Sequence, residues 1–391
     1  MKIAIFTDTY YPDVNGIAVS TKTLVDVLKK HDHEVIVVTS NYDNKVPTKE
    51  NGVYYIALSS KRRKNAISII RDFKIKLYRT IASFKPDIIH NQTNGPIGQL
   101  GRYTANRLSI PFVYTYHTHY EEYATYVGNN FFRRVFRAYE RRYFKHLANI
   151  STEFIAPSLK IKNYLRKKGI DKCINVIPTG YNFSQFEIDE SVKKDVKYLS
   201  KKYEIENGEK VLLYVGSLSR EKNLDFLITN FKTFIDQNDN KYRLLIVGEG
   251  NQWDTLLELI KQQELTGKVE LVGKVNHDKI KSYLSLANLF VNASTSETQN
   301  MAVIEAMLTK CLVLVKEDEN TVEMIEDGVN GFIYSNEKEF IKQLNLIFST
   351  KEEELESIRD KAYDYVTKEC GVETYYQKVV EVYSRAQRKN W

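Results

Sequence analysis

Cysteine is scarce: Cys173, Cys311 and Cys370 are scattered through 391 residues with no paired spacing. That excludes a disulfide framework and a cysteine-built zinc site, and fits reduced thiols without a role. No apolar run reaches the roughly eighteen residues of a spanning helix. The opening MKIAIFTD passes from one lysine straight into a strand-like run. It has neither the long apolar stretch nor the small-residue cleavage site of a secretory leader, so a cytoplasmic protein is expected. No Asp-x-Asp pair ends a strand, so nothing suggests a metal-held diphosphate. Asp318 stands between Glu317 and Glu319 in an acidic loop and reads as solvated.

What the chain does contain is enough apolar residue for two cores. Hydrophobic residues make up 42% and charged residues 27%, a globular balance, and the length exceeds one ordinary domain. The net charge of +7 is unevenly spread. Residues 1–185 hold 29 Lys and Arg against 14 Asp and Glu (+15); the remainder holds 28 against 36 (−8). A basic half beside an acidic half implies an anionic partner on one side only, nucleic acid or a membrane surface.

KIAIFTD, HEVIVVTS, VYYIAL, PDIIHNQ, PFVYTYH, EFIAP and INVIPTG read as strands. Several lack alternation, as strands buried on both faces do. Amphipathic stretches separate most of them, which gives βα units and a mostly parallel sheet. After a polar connection at 184–209 the pattern restarts with KVLLYVGSL, RLLIVGEG, KVELVGKV, NLFVNAS, CLVLVKED and GFIYS. The fold expected is α/β, two Rossmann-like doubly wound domains, 1–185 and 186–371, facing a central cleft at the strands' carboxyl ends. The last helix, about Val372 to Ala386 within 372–391, is a candidate to pack back on the first domain.

Gly16 precedes a helix expected from about Ser20. A glycine there lets backbone approach a phosphate at a helix N-terminus, although a plain turn reads equally well. Arg220 and Lys222 lie near a helix start after the strand KVLLYV. There cations neutralise a diphosphate leaving group, with a solvated surface charge the equal alternative for Arg220. The strongest run is ASTSETQNMAVIEAM. Glu297 leads through Thr298, Gln299 and Asn300 into the helix carrying Glu305, between an apolar strand and CLVLV. Free helix amides hold anions or hydroxyls, and carboxylates accept from pairs of sugar hydroxyls. His117 and His119 form an H-x-H pair without a third metal ligand. On strand geometry the two point the same way, which does not discriminate between them. His31 and His33 flank a turn and read as structural.

Glu297 and Glu305, separated by seven residues, resemble the E-x7-E motif of family 4 retaining glycosyltransferases with the GT-B fold. The likeness covers nearly the whole chain: MKIAIFTDTYYPDVNGIAVSTKTL, VYTYHTHYEEYATYV, VIPTGYNFSQF, SREKN and TVEMIEDGVNGFIY follow in family order. HTHYEEYATYV, with Tyr120, and the SETQ form are similar to bacterial diacylglycerol glucosyl- and galactosyltransferases. The resemblance implies that Gly16 offers its amide to donor phosphates, His117 contacts the transferred sugar, and Lys222 neutralises the diphosphate. It implies that Glu297 and the amides of Thr298, Gln299 and Asn300 hold sugar hydroxyls and that Glu305 takes the ribose. Gly273 and Lys274 fall at the base-binding loop. The chain departs from the pattern in four places. Ile17 follows Gly16 where a second glycine is frequent. Ser217 replaces an arginine, for which Arg220 is the candidate substitute. Asn300 replaces a glycine, and Asn94-Gly95 stands where a glutamate is usual. Ser217 and Asn94 bear on donor affinity and acceptor choice.

No carboxylate is placed as a covalent nucleophile on the sugar. A front-face displacement, in which the leaving phosphate helps deprotonate the acceptor, needs only positioning and charge stabilisation. The basic half supplies a second argument. Residues 61–79 carry eight cations and one acid, with Ile70, Phe73, Leu77 and Ile81 at helical spacing. Residues 131–145 carry six cations and one acid among bulky aromatics; Arg133, Arg134, Arg137, Arg141 and Arg142 stand among them. Cations beside aromatics suit anionic headgroups, and no nucleic-acid-reading module accompanies them. The expectation is a UDP-hexose-dependent hexosyltransferase needing no cofactor. It would act on a lipid acceptor, diacylglycerol or hexosyl-diacylglycerol, from the inner face of the cell membrane. A transferase of capsule, teichoic acid or another surface glycan is the alternative, and a non-catalytic partner subunit the rival from another class. An epimerase would need acid/base groups beyond those found.

Overall fold

The computed structural model describes residues 1–11, 13, 15–41, 48–50, 52–57, 78–117, 130–238, 241–294, 300–319 and 321–389. It divides into two units. One joins Met1–Tyr181 to Val372–Trp391; the other is Asn182–Gly371.

The first unit is built on an eight-stranded sheet: β1 (Lys2–Phe6), β2 (Glu34–Asn41), β3 (Thr48–Glu50), β4 (Val53–Ala57), β5 (Ile88–Asn91), β6 (Phe112–Thr115), β7 (Glu153–Ala156) and β8 (Ile174–Val176). The order is β3-β4-β2-β1-β5-β6-β7-β8, and the β3–β4 pair alone is antiparallel. Ile3 and Ile5 of β1 feed one core, while Ala4 and Phe6 feed the core on the other face. Burial on both faces is why KIAIF carries no polar alternation. The order reverses at β1 and β5, so their carboxyl ends flank the topological switch point where ligands bind in such sheets.

Helix α1 (Gly16–Lys30) starts four residues before the expected Ser20. The cause is Asn15, whose Oδ1 accepts from the Ala18 amide at 3.0 Å and whose Nδ2 donates to Thr9 Oγ1 at 2.8 Å. Ser20 lies inside the helix, buried against Thr179 with their hydroxyls 2.9 Å apart. Helices α2 (Pro96–Leu108), α3 (Asn130–Ile150) and α4 (Leu159–Lys167) follow. The C-terminal helix (Val372–Lys389) packs in this unit, burying Tyr375, Val379, Val382, Tyr383 and Ala386 beside the β1 and α1 core. Polar contacts hold both its ends. His31 stacks on Tyr376 at 3.8 Å and meets Glu373 at 2.7 Å. At the far end Lys389 reaches the buried Glu153 carboxylate at 2.7 Å.

The second unit opens with α5 (Glu190–Lys202). Its six strands are β9 (Lys210–Val215), β10 (Tyr242–Val247), β11 (Val269–Gly273), β12 (Leu289–Asn292), β13 (Leu312–Lys316) and β14 (Phe332–Tyr334). They run wholly parallel in the order β11-β10-β9-β12-β13-β14. The helices between them are α6 (Leu224–Gln237), α7 (Trp253–Gln262), α8 (His277–Leu286), α9 (Met301–Leu308) and α10 (Thr321–Met324), followed by α11 (Glu337–Ser349) and α12 (Glu352–Glu369). Here the switch point lies between β9 and β12. At Gly248, φ is +147° and a Cβ would sit 1.8 Å from the Gly216 carbonyl oxygen. Glycine there lets the β9 and β10 exits run in contact. Asp318 is not simply solvated: its Oδ1 accepts from the Thr321 amide at 2.9 Å, at the start of α10.

Candidate active site

In the second unit the anticipated residues follow the carboxyl ends of β9, β11 and β12. Beyond β9, Ser217 is exposed with its hydroxyl 3.1 Å from that of Ser219, and Arg220–Lys222 form a short 3-10 turn. Asn223, at φ +54°, turns the chain from there into α6. Arg220 is exposed and Lys222 half-buried, so both cations stand at a helix entry. Gly273 ends β11 at φ +85°, a backbone that favours glycine, and its carbonyl accepts from the Gly248 amide at 2.9 Å. Exposed Lys274 pairs with Glu249 at 2.9 Å.

Beyond β12 lies the double-glutamate segment. Glu297, Thr298 and Gln299 are outside the described residues, as is Tyr120 in the first unit. Asn300 is described, buried, at φ +54° as the N-cap of α9. That left-handed backbone accounts for the glycine usual at this position; asparagine is among the residues that tolerate it best. Asn300 Oδ1 is buried without a hydrogen-bond partner among the described residues. Glu305, on α9, is buried, and its Oε1 lies 2.9 Å from Nε2 of His277, the first residue of α8. The Glu305 hydrogen bond raises the His277 pKa, burial opposes it, and the charges of Glu305 and Asp278 add to the rise. Sequence reasoning missed His277. It lies 28 residues before its partner, and its only signal is its place at a helix start three residues past Lys274.

In the first unit Gly16, Gln92 and His117 follow β1, β5 and β6, three neighbouring strands. Gly16 is the first residue of α1, where the helix's own ladder does not use the amide. Asp8 leaves β1 and accepts at Oδ1 from the Ile97 amide at 2.9 Å, while Thr93 donates to its Oδ2. A Cβ on Gly95 would meet that carboxylate at 2.6 Å. The turn lacking the usual glutamate is therefore filled by a carboxylate from β1.

His117 is held by Gln92, with Nε2 2.6 Å from Gln92 Oε1. The Gln92 amide nitrogen lies 3.1 and 3.3 Å from the two ring nitrogens of His90. Those nitrogens meet Thr115 Oγ1 and Tyr383 Oη, each at 2.7 Å. Desolvation pushes His117 down to about 4, and desolvation with the neighbouring His117 pushes His90 to about 3. Both imidazoles are neutral at pH 7. Of this network only His117 was anticipated, because its partners come from separate strands and from the C-terminal helix.

On α3, Glu140, Phe144, Leu147 and Ala148 turn inward, and Arg134, Arg141 and Arg142 are exposed with Tyr139. The side chains of Arg133 and Arg137, like residues 61–77, lie outside what is described. Among the described residues no helix is long and apolar enough to cross a membrane.

Two doubly wound sheets, parallel but for the β3 edge, each with polar residues after its switch-point strands, have the α/β architecture that binds ligands such as nucleotides at the strands' carboxyl ends. Two family models match in tandem, Glycosyltransferase Family 4 over residues 14–185 and Glycosyl transferases group 1 over residues 195–365. The alpha-monoglucosyldiacylglycerol synthase of Streptococcus pneumoniae is 29% identical, over 98% of this chain and 85% of the relative. The enzyme of the same name from Acholeplasma laidlawii is 28% identical, over 98% and 96%. The crystal structure of Anabaena HepE in complex with UDP and glucose superposes with a TM-score of 0.77 at 19% identity, covering 98% of this chain and 99% of that one. The chain belongs to the family 4 glycosyltransferases and has the GT-B fold.

Proposed function

We propose that the protein moves glucose or galactose from a UDP-sugar to a membrane glycolipid acceptor, diacylglycerol or hexosyl-diacylglycerol, with retention of configuration. The observation that carries this is the likeness, along nearly the whole chain, to two enzymes named for an alpha-glucosyl diacylglycerol product. UDP-glucose is itself an alpha-glucoside, so an alpha product means retention. UDP as the leaving nucleotide is supported by the GT-B neighbour HepE, crystallised with UDP and glucose.

In this reading unit 2 takes the nucleotide-sugar and unit 1 the acceptor and the membrane. Gly16, at the N-terminus of α1, gives its amide to the donor phosphates. Lys222, aided by Arg220 near Ser217, neutralises the leaving diphosphate. Glu297 and the amides of Thr298, Gln299 and Asn300 grip the sugar, and Glu305 binds the ribose. Gly273 and Lys274 border the base, and His117 touches the transferred sugar. The reaction is a front-face displacement: the leaving phosphate oxygen takes the acceptor hydroxyl's proton as the new bond forms on the same face. The protein supplies alignment and charge, with no covalent sugar intermediate. Tyr120 and the arginines 133, 134, 137, 141 and 142 serve the acceptor side and attach the enzyme to the anionic inner face of the cell membrane.

The deciding experiment incubates purified enzyme with labelled UDP-glucose, UDP-galactose or GDP-mannose, and with diacylglycerol, monohexosyl-diacylglycerol or a polyprenyl-linked acceptor. A lipid-soluble alpha-hexoside from a UDP-sugar and a diacylglycerol acceptor is expected. Product only from the polyprenyl acceptor, or from no lipid, overturns the acceptor; a beta anomer overturns retention.

A further inference from the structure

His117 has an imidazole with two chemically different nitrogens, and the surrounding residues decide which one carries the proton. His90 presents both ring nitrogens to hydroxyls, Thr115 Oγ1 and Tyr383 Oη, each 2.7 Å away. The Gln92 amide packs against that ring with its nitrogen 3.1 and 3.3 Å from the same two nitrogens. An N–H facing an electron-rich ring is favourable and a carbonyl oxygen there is not, which orients the amide. Its Oε1 is therefore directed at His117, 2.6 Å from Nε2. A carbonyl oxygen only accepts, so Nε2 must donate. In a neutral imidazole the proton on Nε2 leaves Nδ1 a bare acceptor. His90 and Gln92 are 1% exposed, so water does not compete for this chain of contacts.

We propose that Gln92 is a positioning residue that fixes His117 as the Nε2–H tautomer, making Nδ1 an acceptor for a substrate hydroxyl, and that Tyr383 of the C-terminal helix supports it through His90. This rests on the reading of His117 as a sugar contact. The arrangement separates a hydroxyl-bearing sugar from an analogue lacking that hydroxyl, because an acceptor-only nitrogen gains nothing from a deoxy position.

The test uses the full chain labelled with 15N-histidine, as wild type and as Gln92→Met, Gln92→Glu, Tyr383→Phe and His117→Ala. Imidazole 15N shifts and kcat and KM for donor and acceptor are measured across pH. Wild-type His117 is expected as a single Nε2–H tautomer at neutral pH. Gln92→Met should mix the tautomers and lower kcat about 10–100-fold, by analogy with the loss of groups that orient metal-bound histidines, with donor KM changed far less. Gln92→Glu keeps an acceptor at that point. It should restore the tautomer and much of kcat while moving the acid limb of the pH profile upward. Tyr383→Phe should change the His117 shifts in the direction of Gln92→Met. A Gln92→Met enzyme with wild-type tautomer and kcat overturns the proposal, as does Nδ1–H in the wild type. Full turnover in His117→Ala overturns the sugar-contact reading instead, and is distinguished because the tautomer is read independently of activity.

Discussion

At Glu305 a buried carboxylate is paired with a histidine whose side chain is 36% exposed. The folded-state pKa of His277 is raised above its ordinary 6.5, so the folded protein binds more protons there than the unfolded chain. That contribution is complete below 6.5 and is lost as pH rises through the raised value. Thermal midpoints should therefore fall on raising the pH above 6.5, and His277→Gln should flatten that limb. An identical slope in the variant removes the pair from the account. His90 and His117 act in the opposite sense. Their folded values lie at about 3 and about 4, so the unfolded chain takes up protons first as pH falls below 6.5. Acid should destabilise the fold between 6.5 and about 4, less so in His90→Gln. For catalysis, Lys222→Ala or Glu297→Ala should lower kcat by at least about 100-fold, the scale for one lost charge-stabilising donor, with the thermal midpoint little changed. Glu305 could be singled out in the sequence by its spacing from Glu297, and Gly16 by its place before a helix. Gln92, His90 and His277 were not, because a hydrogen bond between residues 25 or 28 positions apart leaves no local trace.

At the scale of elements, parallel strands buried on both faces are the easiest to read, and β1, β9, β12 and β13 stand as uninterrupted apolar runs. Strand β3 is TKE. It carries no apolar signal because an antiparallel edge strand need bury little, and it was not anticipated. The start of α1 was misjudged because Asn15, a cap residue five positions before Ser20, outweighs the apolar pattern. The exposed face of α3 carries Arg134, Arg141 and Arg142. Each cation near an anionic surface is worth about 1 kcal/mol. Neutralising all three should weaken binding to phosphatidylglycerol vesicles about 100-fold, read by co-sedimentation; unchanged binding would remove this helix from the membrane surface. The C-terminal helix is held by core packing and by ion pairs at each end. Tyr383→Ala should cost about 3–5 kcal/mol by analogy with other buried aromatic truncations, seen as a lower urea midpoint.

Across the whole molecule the charge separates by unit: residues 1–181 with 372–391 hold 33 Lys and Arg against 16 Asp and Glu (+17), and residues 182–371 hold 24 against 34 (−10). Attachment to anionic vesicles should fall steeply between low and high salt, since exposed charges are screened within about 8–10 Å near physiological ionic strength. A salt-independent association would refute electrostatic attachment. The division at Tyr181 and Gly371 also makes unit 1 discontinuous, with unit 2 inserted before the C-terminal helix. On the ribosome, then, the first unit to emerge is not the first able to finish. Its core lacks Tyr375, Val379, Val382 and Tyr383 until residues 372–389 have been synthesised, whereas unit 2 has its whole sequence by residue 371. Until that helix is made, the first unit's unfilled core leaves apolar surface open, the condition under which incomplete folds aggregate.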